Sequence, residues 1–96
     1  MAEVVWTPQA LDDLDAVCLF IARDSPRVAQ TFAGRAFQAA DRLALFPRSG
    51  RVVPELGIED VREVFLQAYR IIYRVRGERA EILTVHHGAR ILDIDP

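Results

Sequence analysis

VREVFLQAYRIIYRVRGERAEILTVHHGAR, residues 61–90, is the stretch on which the fold turns. Taken in twos, its middle puts Tyr69, Ile71, Tyr73 and Val75 on one face and Arg70, Ile72, Arg74 and Arg76 on the other. Alternation with β-branched and aromatic residues predicts a half-buried strand over 69–76. Arg76-Gly77-Glu78 is a break of hairpin length, and Gly77 can supply the positive φ such a turn needs. A second strand follows over 80–86. Upstream, 61–66 reads as another, joined through Gln67-Ala68. Together these make a meander with arginines opposite the tyrosines, so a working surface is expected on that face or at the exit around His86, His87 and Arg90.

Working outward, Val4, Val5 and Trp6 predict a short first strand. Thr7-Pro8 then predicts a helix start, because a threonine hydroxyl can cap and proline loses nothing at the first helical position. Asp12, Asp13 and Asp15 fall in the first two turns, where the helix dipole favours negative charge. Leu11, Leu14, Val17, Cys18 and Ile21 recur at helical spacing as one apolar stripe. The helix is expected to end near Arg23-Asp24. Ser25-Pro26 repeats the start signal, and the period of Val28, Ala29, Phe32, Ala33, Ala36, Phe37, Ala40, Leu43 and Ala44 carries a second helix toward Pro47. So short a turn between the helices predicts an antiparallel hairpin. Residues 47–60, with two prolines and two glycines, read as a surface connection without regular structure. The expected architecture is α+β: a helical hairpin on one face of a mostly antiparallel sheet, in the order β-α-α-β-β-β. Leu14, Ile21, Phe32, Phe37, Ile71 and Tyr73 are expected to share one core, with Phe37→Ala costing about 3–5 kcal/mol. Arg70 and Arg74 are expected in water.

The 96 residues, half of them hydrophobic, make one domain over 1–96. All 12 basic residues are arginine, and the net charge of −2 lacks the basic excess of a chain that lives on nucleic acid. One cysteine excludes an internal disulfide and suits a reducing cytoplasm. The longest apolar run, 16–22, is too short to span a bilayer, and the N-terminus has no signal-peptide pattern. A cytoplasmic protein is the expectation.

No catalytic constellation emerges. Adjacent strand histidines, His86 and His87, point to opposite faces and do not easily share a metal ion, and the rest of a zinc ligand set is missing. One of them has the chemistry of a general acid or base, although a packed and a solvated histidine at a strand end is the simpler reading. Cys18 lies on the core stripe and reads as structural. No glycine-rich phosphate loop and no other cofactor motif is present. For Arg62, Arg70, Arg74 and Arg76 two readings stand side by side. One is a solvated face with cross-strand pairs to Glu63 or Glu81; the other is a docking face for an acidic peptide or phosphate.

Five segments in order resemble the ParE toxins of type II toxin–antitoxin modules, within the RelE/ParE superfamily. They are TPQALDDLDAVCLFIARDSPRVAQTF, LALFPRSGRVVPEL, the VREVF strand, YRIIYRV and EILTVHHGAR. The resemblance covers Trp6 to Arg90 and implies the fold derived above. It also implies a toxin that poisons DNA gyrase without catalytic residues of its own and is neutralised by a ParD-like antitoxin. The antitoxin's acidic C-terminal tail is expected over Arg62, Arg70 and Arg74, with DNA met only through the antitoxin. The RelE branch instead cuts messenger RNA on ribosomes with basic sheet-face residues, for which Arg62 and Arg70 stand at plausible positions. The absence of lysine, of a tyrosine after Tyr73 and of net positive charge favours ParE. An inert module that only binds antitoxin is the third reading.

Overall fold

The computed structural model describes residues 1–90; positions 91–96 of the domain expected over 1–96 lie outside the described residues. The order is β1 (Glu3–Trp6), α1 (Pro8–Ala22), α2 (Pro26–Asp41), a 3-10 turn (Arg42–Ala44), β2 (Arg51–Val52), β3 (Val61–Leu66), β4 (Tyr69–Arg76) and β5 (Arg79–His87). The five strands form one sheet ordered β1-β5-β4-β3-β2. Every pairing is antiparallel except β1 with β5, which is parallel. The expected α+β hairpin-on-sheet architecture is therefore the observed one. Among the described residues no helix is long and apolar enough to cross a membrane.

Local chemistry places each helix. Thr7 Oγ1 accepts from the Ala10 N–H at 3.1 Å and donates to the Ile82 carbonyl at 2.7 Å, so the cap also fastens α1 to β5. Ser25 Oγ accepts from the Val28 N–H at 3.3 Å, and a proline opens each helix. The α-helical period of the second helix stops at Asp41, earlier than the apolar pattern suggested, and tightens into the 3-10 turn. The Ala2 N–H donates to the Ala44 carbonyl at 2.7 Å, which ties that turn to β1. Both hairpin loops have two residues, with positive φ at the first: Gln67 at 54° and Gly77 at 56°.

The helices cover the face that carries Tyr69, Ile71, Tyr73 and Val75. Leu14, Phe32, Ala36, Leu43, Ile71, Tyr73 and Ile82 belong to one buried cluster, and Ile21 packs at its edge. Phe37 does not belong to it: 41 % exposed, it lies against Trp6 with ring centroids 4.9 Å apart. Leu11, assigned to the α1 stripe, is also largely exposed, and Ala10 takes the buried place. The large loss expected of Phe37→Ala therefore belongs to the fully buried Phe32. Phe32→Ala should cost about 3–5 kcal/mol in urea unfolding, against about 0.5–1.5 kcal/mol for the aromatic pairing lost in Phe37→Ala.

The second sheet face is not the open arginine surface that the alternation suggested. The connection over 47–60 contributes the two-residue strand β2 and then folds back across the sheet. Val53, Val61 and Ile72 form a second buried cluster there, with Leu56 and Leu83 packed against it. One irregularity redirects β5. Pairing passes from Ile72 with Thr84 to Tyr73 with Ile82, leaving Leu83 as an extra residue, a β-bulge. Ala80 and Ile82 face the helices before the bulge, and Val85 does so after it. Beyond the bulge His87 stands opposite Tyr69, with the two rings in contact.

Candidate functional site

The arginines predicted for a working face divide sharply. Arg70 is 4 % exposed. Its Nε donates to Glu63 Oε1 at 2.5 Å, while Nη1 and Nη2 donate to the two oxygens of Glu55 at 2.6 and 2.8 Å. The Glu63 side chain is fully buried, and its other oxygen accepts from Arg51 Nε at 2.6 Å. This corrects the expectation of a solvated Arg70. The reason lies in the 53–60 loop, which carries Glu55 back over the sheet and supplies a second carboxylate. Burying a guanidinium without such partners is prohibitive. Two carboxylates hold it charged and raise its pKa further, with the Glu55 hydrogen bonds as the first cause.

Arg62 has a similar inward job. Its Nε donates to the Glu59 carbonyl at 3.0 Å and its Nη1 to the Gly50 carbonyl at 3.0 Å, which pins the loop to β3. Next to it the Tyr73 hydroxyl accepts from the buried Gly50 N–H at 3.0 Å. A side chain at Gly50 has no room, because a Cβ there would stand 2.5 Å from the Glu63 carbonyl oxygen. Burial raises the Tyr73 pKa, as a phenolate there would lose its hydration. Arg76 is exposed and sits 3.6 Å from Glu81, the cross-strand pairing anticipated from sequence. Arg74 is half-buried and, among the described residues, has no carboxylate within salt-bridge distance.

Glu55 gives this arrangement a pH signature. Hydrogen bonds from Arg70 lower its pKa to about 2. A depressed carboxylate contributes stability that is fully present above its unfolded value and is lost as pH falls through the folded one. Acid unfolding should therefore steepen between the ordinary carboxylate range and about pH 2. Glu55→Gln should flatten that limb while leaving its shape above pH 5, about one unit over the unfolded value, unchanged. Urea midpoints measured across the range would show it, and a limb of unchanged steepness would discard the assignment.

His86, His87 and Arg90 do come together, on the helix side. They line an open groove of about 570 Å³ between the C-terminal half of α1 and the end of β5, with Tyr69 in its wall. His87 packs its ring edge on Tyr69 with centroids 5.2 Å apart, and its Nδ1 accepts from the Ala89 N–H at 3.1 Å. His86 Nδ1 lies 3.0 Å from the His87 carbonyl and donates to it. Asp13 accepts from the Thr84 hydroxyl and fastens α1 across the groove's other end. The helix side is apolar and open, with Leu19 69 % and Phe20 60 % exposed. Arg23 lies over the Phe20 ring at 5.8 Å and joins Arg90 as a second cation on the rim. Sequence reasoning passed over Leu19 and Phe20, although their signal was present: two large apolar residues off the core stripe of α1. Cys18, half-buried on the core side, has its pKa raised by burial and by Asp15, as befits a structural thiol. Among the described residues no three histidine, cysteine or acidic side chains gather as a metal site.

The likeness to known proteins runs through the whole chain. Residues 4–92 match the family described as ParE toxin of type II toxin-antitoxin system, parDE. The chain is 41 % identical over 92 residues to "Toxin RelE2" of Caulobacter vibrioides, covering 95 % of this chain and 100 % of the relative. It is 39 % identical over 85 residues to "Putative toxin Y4kP" of Sinorhizobium fredii, covering 86 % of this chain and 84 % of that one. The fold is shared with a chain of the "Chromosomal ParDE TA system from P. aeruginosa" at a TM-score of 0.74 and 23 % identity, over 91 % of this chain and 96 % of that one. By the extent of the family match and by these relatives, the chain belongs to the ParE toxin family of type II toxin–antitoxin systems.

Proposed function

We propose that this toxin is held inactive by a ParD-like antitoxin segment lying in the α1–β5 groove, and that, once free, it inhibits DNA gyrase in the cytoplasm. The observation that carries the docking part is the groove itself. Leu19 and Phe20 leave apolar surface open beside Tyr69, with Arg23 and Arg90 on the rim. A flexible, acidic-rimmed helix that orders on binding suits such a surface. The acidic tail expected over Arg62, Arg70 and Arg74 would instead meet a face on which Arg62 and Arg70 are already engaged. The structural likeness to a chain of a ParDE system supports the toxin fold on which this reading stands.

Gyrase, rather than messenger RNA, is favoured by what the sheet face offers a phosphodiester. The Nε and both Nη atoms of Arg70 already donate to Glu63 and Glu55, which leaves this guanidinium no free bidentate fork for a phosphate. The two carboxylates beside it, Glu55 and Glu63, are committed to holding its guanidinium rather than to general acid–base cleavage. The competing reading, ribosome-dependent cleavage, draws on the printed name of the Caulobacter relative, "Toxin RelE2". Purified toxin should inhibit gyrase supercoiling and leave ribosome-bound message intact. Message cleavage with gyrase untouched reverses the assignment, and unimpaired growth on expression of the chain alone makes it an inert antitoxin-binding module.

A further inference from the structure

On the loop-covered side of the sheet, away from the groove, lies a second cleft of about 560 Å³. It is walled by Arg48 and Ile58 from the connecting loop and by Arg74, Arg76 and Gly77 at the end of β4, with Asp60 as the carboxylate among its lining residues. That size lies within the range of small-ligand sites. Arg74 is half-buried there and, among the described residues, has no carboxylate within salt-bridge distance, although Glu81 stands opposite it on β5. Of the two other guanidinium groups, Arg48 has only exposed pairings, whereas Arg76 faces a mostly buried Glu81. Arg48 sits 2.9 Å from Asp60 and 3.9 Å from Glu59, both well exposed, and Arg76 sits 3.6 Å from Glu81. Glu81 is shared with Arg79 at 4.0 Å. The exposed Arg48 pairs contribute little and exchange readily for a better anion, and the Arg76–Glu81 contact is a long one.

We propose that this cleft binds the phosphate group of a phosphomonoester, with Arg74 as its principal ligand and Arg48 and Arg76 as flanking ones. Each guanidinium presents a planar fork suited to an oxyanion. Three forks exceed what the two oxygens of one carboxylate can accept, whereas a phosphomonoester offers three oxygens and a charge of about −1.5 to −2 at neutral pH. Gly77, at φ 56° with open space where a Cβ would stand, leaves the mouth clear, and the partly exposed Ile58 gives the carrier an apolar wall. A free nucleotide and the phosphorylated end of a nucleic acid both carry this chemistry and serve as its two probes. The proposal does not depend on where the antitoxin docks or on the cellular target.

Titration of the full chain, in low-salt buffer free of phosphate, with AMP and with adenosine isolates the phosphate contribution. Binding of AMP with a Kd on the order of 1 mM and none of adenosine is expected, the salt dependence being that of an exposed charge contact. Arg74→Gln should weaken AMP about tenfold, as loss of one charge-assisted fork implies. Arg74→Lys should restore part of it, and Arg27→Gln, on exposed α2, should change nothing. Thermal melts of each variant confirm that the fold is retained. A short oligonucleotide with and without a 5′-phosphate identifies the source: a preference for the phosphorylated strand over AMP assigns a nucleic-acid end, and the reverse assigns a free nucleotide. Failure to bind either phosphorylated probe, or binding that Arg74→Gln leaves unchanged, overturns the proposal. So does Arg74-dependent binding of polyglutamate in place of AMP, which would make the cleft an acidic-peptide site.

Discussion

Arg70→Ala is expected to destabilise the fold by about 3–5 kcal/mol, the usual effect of breaking a buried ion pair from one side. The geometry explains why so much rests on one side chain. Glu63 is fully buried between Arg51 and Arg70, so losing Arg70 leaves a carboxylate in the protein interior with one of its two cationic partners gone. Glu55 loses both of its hydrogen bonds to Arg70 at the same moment, and with them goes one of the tethers that hold the 53–60 loop over the sheet. For a domain whose whole stability is about 5–15 kcal/mol, this is a large fraction. A fall in Tm of about 12 °C or more should accompany it. Arg70→Met combined with Glu63→Met should cost less than Arg70→Ala alone, because removing both charges leaves neither unpaired. A loss below about 1 kcal/mol, the level of an exposed pair, would show that the pair is not buried in solution. The same result governs how activity data are read: loss of toxicity in an Arg70 variant reports on a target contact only after the variant is shown to be folded.

The groove predicts the opposite pattern, a large effect on binding with almost none on folding. Leu19→Glu/Phe20→Glu places two charges where both side chains already stand in water, so unfolding should shift by no more than about 0.5 kcal/mol per site. Affinity for the antitoxin should fall about 30-fold or more, the effect of removing a hot-spot anchor worth about 2 kcal/mol. In cells the variant should escape neutralisation while its toxicity persists. Charge reversal at Arg23 and Arg90 should act differently, slowing association and weakening its salt dependence more than it speeds dissociation. Undiminished affinity in the Leu19/Phe20 double variant would move the docking site off α1, and the open sheet edge at β1 would be the next place to look.

Much of the architecture was legible in the chain itself. Thr7-Pro8 and Ser25-Pro26 set both helix starts, because a capping hydroxyl followed by proline solves a local hydrogen-bonding problem wherever it occurs. The alternation at 69–76 identified the helix-facing residues of β4, since the period of a strand is a property of its own backbone. The segments that resemble ParE toxins were likewise a matter of sequence, and they pointed to the family before any contact was known. The candidate site was only half legible. His86, His87 and Arg90 were named, yet the apolar wall they share with Leu19 and Phe20 was not, because it exists only where α1 lies across the end of β5. The extra residue at Leu83 sets the strand's parity there, and no pattern in 80–86 announces a bulge. Arg70 is the clearest case of tertiary control. Period alone gives it the same face as Arg74 and Arg76, and period cannot tell a solvated arginine from a buried one. That was decided by a 53–60 loop with no regular pattern of its own, which brought Glu55 over the sheet and made burial of the charge affordable.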